Sequence, residues 1–162
     1  MIIVLKLILI VLFFLIFKQD YKDRMVSWVL YLSIGIASLI LQLLFISWQS
    51  VIANSSFNIG FISLLILIMY FYSKLIKRQP LINHSIGVGD IFLFYSLCFL
   101  FPIITFMILF IFSLVFSLLL HFLLKKKYNQ HNSVPLAGYM ALFYSVVLLL
   151  SFFTNNTLLY QY

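Results

Sequence analysis

The chain has 162 residues, 65% of them hydrophobic and 8% charged, with a formal net charge of +7 and a mean hydropathy of +1.21. No soluble core of this size hides so much apolar surface, so an ordinary water-soluble domain is excluded and the bilayer becomes the solvent. The basic excess does not signify nucleic-acid binding, because Lys and Arg occur in short clusters between apolar runs, where they orient spans.

Crossing a hydrocarbon layer of about 30 Å takes about 20 apolar residues in a helix. On that measure the sequence predicts an all-α protein, a bundle of six transmembrane helices at roughly 2–18, 26–48, 59–76, 90–104, 105–124 and 138–155, forming one membrane-embedded domain over 1–162. The first run, Met1 to Phe17, has neither a charged leader region nor a small-residue cleavage site, and reads as a retained span. Lys6 within it is expected to snorkel outward. Ser33, Gly35, Ala37 and Ser38 give the second span a small-residue patch suited to close helix packing. The polar stretch Gln49 to Asn58 reads as a connection.

Residues 91–124 form one nearly unbroken apolar run, which as a single helix would be about 51 Å long. Pro102 removes a backbone donor and disfavours helix at the residue before it, so the chain is expected to turn there. Cys98, the only cysteine, lies in this run and reads as buried packing. Trp28, Trp48 and Tyr139, near span ends, read as interfacial anchors.

The connections are of two kinds. Lys18, Lys22 and Arg24 follow the first span, Lys74, Lys77 and Arg78 the third, and Lys125, Lys126 and Lys127 the fifth, whereas the alternate connections carry no Lys or Arg. By the positive-inside rule the basic side is cytoplasmic and both termini are external.

The chain has three acidic residues, Asp20, Asp23 and Asp90. All fall at cytoplasmic span ends, because two spans separate the first pair from the third, so a shared site is topologically open to them. An acid at the membrane boundary usually faces a cavity or a partner. When the partner is a second carboxyl, the two share one proton. That state suits peptide hydrolysis: the ionised Asp deprotonates a water while the protonated one hydrogen-bonds the scissile carbonyl. Such chemistry needs no metal and no cofactor. Gly87 and Gly89, flanking Val88 before Asp90, permit backbone torsions closed to other residues and let a substrate strand approach. Taken alone, the four residues are a weak pattern and read first as a Gly-rich turn with Asp capping a helix N-terminus.

Gly87-Val88-Gly89-Asp90-Ile91, opening a span after a basic cytoplasmic loop, resembles the G-x-G-D motif of the type IV prepilin peptidases, which are membrane aspartyl proteases. In that family the other catalytic aspartate closes the first span and begins a pattern of Asp, five variable residues, then Ile-Pro-Asn. Asp20 to Trp28 is similar to it, with Val26 at the Ile and Ser27 at the Pro. Val134-Pro135-Leu136-Ala137-Gly138 looks like the start of the family's final helix. The resemblance implies Asp20 and Asp90 as the catalytic pair, Asp23 as a surface acid, Gly87 and Gly89 as site-shaping residues, and Ser27 and Pro135 as candidate supporting ones.

Phe92 stands where many members have Lys, and Ser27 where most have Pro. The zinc-binding paired CxxC insertion that accompanies N-methyltransferase activity in larger members is missing. The implied activity is leader removal alone, from prepilin or pseudopilin precursors at the cytoplasmic face of a bacterial inner membrane. His84, six residues before Asp90, is a further candidate for tuning the acids, while His121 and His131 lack the spacing of a metal site. A presenilin-type protease shares G-x-G-D, but Asp20 among Lys18, Lys22 and Arg24 fits cleavage at the interface better. From another class, a small transporter or complex subunit would use the acids as helix caps or ion contacts.

Overall fold

Helix α1 (Ile2–Asp23) buries Lys6, Leu9, Phe13, Ile16 and Asp20. Their spacing of three and four residues is that of one face of an α-helix, so Asp20 is the last member of the stripe that packs into the bundle. The helix runs five residues past the expected end at Lys18 and closes at Arg24, whose backbone is left-handed (φ 54°). The segment Lys18 to Asp23 is polar but keeps the helical register, and the end of the apolar run is not the end of the helix.

The computed structural model describes residues 1–77, 87–125, 135–153 and 158–160. Among these, α1 is followed by α2 (Trp28–Leu43), α3 (Trp48–Tyr72) with one π-helical turn (Ser73–Lys77), α4 (Val88–Leu97), α5 (Ile103–Lys125) and α6 (Leu136–Leu150), with no strand. Three helical stretches are long and apolar enough to cross a membrane, Ile2–Asp23, Trp48–Leu75 and Ile103–Leu124. The others are shorter, and the ten residues of α4 extend only about 15 Å.

Outward-facing residues are apolar: Ile3, Val11 and Phe14 on α1 and Ile111, Phe112 and Leu118 on α5 are all exposed. Such a surface is compatible with lipid as the solvent. Inside, Phe13 stacks on Tyr144 at 5.9 Å between ring centroids, and Tyr144 stacks on Phe101 at 6.4 Å.

Helix α3 begins at Trp48, so the stretch 49–58 expected as a connection is helical. Two of its polar residues, Ser55 and Asn58, turn inward. Val51, Ser55, Asn58 and Ile62 form a buried stripe, and Asn58 Nδ2 donates to the carbonyls of Cys98 (3.0 Å) and Phe101 (3.1 Å). Those carbonyls belong to the turn at 98–102, where the chain breaks between α4 and α5 as Pro102 requires and helical partners are lost. Lys6 does not snorkel. It is fully buried, donates to Ser151 Oγ at 2.7 Å and lies over the Phe152 ring.

Helix α1 packs mainly against α6 and also against α2, while α4 touches both α2 and α6. The N-terminal end of α6 is therefore where α1 and α4 converge.

Candidate active site

An α-helix leaves its first N–H groups without intrahelical acceptors, and a side-chain oxygen at the N-cap usually receives one. At the N-cap of α6 stands Pro135, which has no such oxygen and makes no side-chain cap bond. The acceptors arrive from elsewhere in the chain. Ala137 N–H donates to Asp90 Oδ1 at 2.8 Å, and Gly138 N–H donates to Asp20 Oδ2 at 2.6 Å. The donors are adjacent residues, so covalent dimensions hold these two oxygens within about 10 Å of each other at most. The carboxylates act on one another electrostatically, and Arg24 acts on Asp20. The positive end of the α6 dipole favours negative charge at this place.

Each acid is aimed by its own helix. Asp20 is 9% exposed at the end of the α1 stripe, whereas Asp23, on the last turn, is exposed to solvent. Asp90 is the third residue of α4, and its Oδ2 accepts the N–H of the N-cap residue Gly87 at 3.1 Å. This is the acidic half of a capping box. Glycine lacks the side chain to supply the other half.

The glycines act through space rather than torsion. Among the described residues no glycine has positive φ, and Gly87 is in ordinary extended conformation (φ −72°, ψ 148°). A Cβ on Gly89 would stand 2.7 Å from the Tyr31 hydroxyl, one on Gly87 3.2 Å from Asp90 Oδ2, and one on Gly138 3.0 Å from Asp20 Oδ2. Three glycines thus admit the groups that crowd this end of the bundle.

Ser27 takes the N-cap position of α2 without a side-chain cap bond, and its N–H donates to Gln19 Oε1 at 3.1 Å. A proline there has no N–H to give. The Ser27 hydroxyl is not drawn into the acid pair, and its contribution is the backbone link to α1. Pro135 is buried at the start of α6 and sets the end that the carboxylates bind. His84 lies outside the described residues. Among the described residues no group of three or more His, Cys, Asp or Glu side chains converges. Tyr139 is buried at 4% exposure, inside the bundle rather than at an interfacial girdle.

Beside the acids, an apolar groove of about 480 Å³ runs between α2 and α4, lined by Trp28, Tyr31, Gly35, Phe92, Tyr95 and Phe99 among others. Tyr31 joins groove and acids, and Gly138 carries the N–H that holds Asp20. Sequence reasoning passed over both as site residues. Tyr31 does leave a trace, because it heads the α2 stripe Tyr31, Ile34, Ser38 and Leu41 at helical spacing. Comparison with protein-family models, curated proteins and solved structures returns no match for the chain.

Proposed function

We propose that this chain is a membrane aspartyl endopeptidase of the prepilin peptidase type. It removes a short leader from prepilin or pseudopilin precursors at the cytoplasmic face of a bacterial inner membrane, and it has no methyltransferase activity. The supporting observation is that two acids from separate helices are delivered to adjacent N–H groups of a third. In this reading all six α-helices belong to one membrane-embedded bundle, with the basic connections in the cytoplasm and the termini outside.

The chemistry follows from two carboxyls sharing one proton. The ionised Asp takes a proton from a water whose oxygen attacks the scissile carbonyl carbon, while the protonated Asp hydrogen-bonds the carbonyl oxygen. Collapse of the tetrahedral intermediate breaks the C–N bond, and a proton passes to the leaving amine. The N–H groups of Ala137 and Gly138 hold the acids in register for both steps, so little reorganisation accompanies the reaction.

The test is leader removal from a pilin precursor co-expressed in membranes with wild type, Asp20→Asn, Asp23→Asn or Asp90→Asn. Among the variants only Asp23→Asn keeps activity. Full cleavage by Asp90→Asn sinks the mechanism, and loss with Asp23→Asn but not Asp20→Asn moves the pair to Asp23.

One observation favours a second reading. Both carboxylates cap α6 where its own N-cap residue cannot, which is also what a non-enzymatic transporter or complex subunit would use them for. Under that reading no variant changes precursor processing, and variants that lose the caps lose stability alone.

A further inference from the structure

Tyr31 is 3% exposed, and its hydroxyl is buried with no hydrogen-bond partner among the described residues. A buried donor left unmade is costly and calls for a reason. The ring is buried against α4. It stacks on Phe92 at 6.1 Å and 23°, and the Tyr31 carbonyl is tied to α4 by Ser96 Oγ at 2.9 Å. The hydroxyl lies against Gly89, the residue before Asp90, at 2.7 Å from where a Cβ would be. Both Asp20 and Asp90 act on it electrostatically. On its other side the ring lines the apolar groove between α2 and α4.

We propose that Tyr31 is a third catalytic residue, whose hydroxyl donates a hydrogen bond to the scissile carbonyl oxygen as negative charge develops there. The inference rests on the aspartyl peptidase reading and deepens it. A fixed donor beside the acids, unpaired before substrate arrives, is how charge that appears only in the transition state is stabilised. It also gives the second glycine of the motif its reason, since any side chain at position 89 would displace the hydroxyl.

The experiment measures kcat and KM for leader removal, together with thermal unfolding in detergent. The proteins are wild type, Tyr31→Phe, Gly89→Ala, the Gly89→Ala/Tyr31→Phe pair, Asp20→Asn and Asp90→Asn. Tyr31→Phe is expected to lower kcat about 100-fold with KM unchanged and to keep Tm within about 2 °C of wild type. Gly89→Ala loses both activity and stability. Adding Tyr31→Phe restores its Tm, because the nearest ring carbon then stands at 3.7 Å from the new methyl, but does not restore kcat.

Wild-type kcat in Tyr31→Phe, with both Asn variants inactive, overturns the role of Tyr31 and leaves the acid pair standing. Cleavage at wild-type rate by the Asn variants overturns the peptidase reading and this inference with it. An effect of Tyr31→Phe confined to KM, or matched by a large loss of Tm, also overturns the role of the hydroxyl.

Discussion

Gly138→Ala isolates the contact that holds Asp20. The new methyl would stand 3.0 Å from Asp20 Oδ2, 3.2 Å from its Cβ and 3.5 Å from its Cγ, while the N–H of the same residue donates to Oδ2 at 2.6 Å. Attraction and clash come from one residue, so the carboxylate cannot retreat from the methyl without stretching the bond. A hydrogen bond to a charged group contributes about 1.5–3 kcal/mol, and replacing helical Gly by Ala returns about 1 kcal/mol. The net expectation is a destabilisation of about 0.5–2 kcal/mol.

Misplacement of a reacting group by about 1 Å can cost about 100-fold in rate. Gly60→Ala is the control, since nothing lies within 4 Å of a Cβ there; it is expected to stabilise by about 0.5–1 kcal/mol. Unfolding in detergent and leader cleavage are measured on both. A Gly138→Ala protein at least as stable as Gly60→Ala, with full cleavage, refutes the argument that Gly138 exists to seat Asp20.

Asp20→Asn keeps an oxygen that can accept from Gly138, so stability is expected to stay within about 1 kcal/mol of wild type while cleavage falls at least about 100-fold; a parallel fall in both marks Asp20 as a cap alone. Asn58→Leu strips the two carbonyls of the 98–102 turn of their donor and is expected to destabilise by about 1–3 kcal/mol, which unfolding curves check. Lys6→Met replaces a buried charge with an apolar side chain of similar length and is expected to be neutral within about 1 kcal/mol. Ser151→Ala, which leaves the ammonium without that acceptor, is expected to cost more. The reverse order contradicts the buried Lys6–Ser151 contact.

Local pattern carried the sequence reading a long way. Hydropathy is summed over consecutive residues, so helices long and apolar enough to cross a membrane and the break at Pro102 were legible without tertiary information. The stripe from Lys6 to Asp20 has the helical spacing that puts those five residues on one face, but polarity at its two ends hides it, so the sequence reading ends the first span at Lys18 and turns Lys6 outward. Composition misled where polarity served the interior. Asn54, Ser55 and Asn58 resemble a solvated connection until Asn58 is seen supplying donors to a turn 40 residues away.

By itself the sequence determined an apolar all-helical chain, with its few acids at the ends of runs marked by basic clusters. Only the tertiary structure decided that Asp20 and Asp90 meet at the start of α6, that Gly138 rather than a neighbour holds Asp20, and that Gly89 makes room for Tyr31. The difference is physical. Periodicity and propensity act over a turn or two of helix, whereas the choice of partner for a carboxylate or a hydroxyl depends on how α1, α2, α4 and α6 pack. A glycine has no side chain to announce what it admits, and its meaning appears only with the neighbour that fills the space.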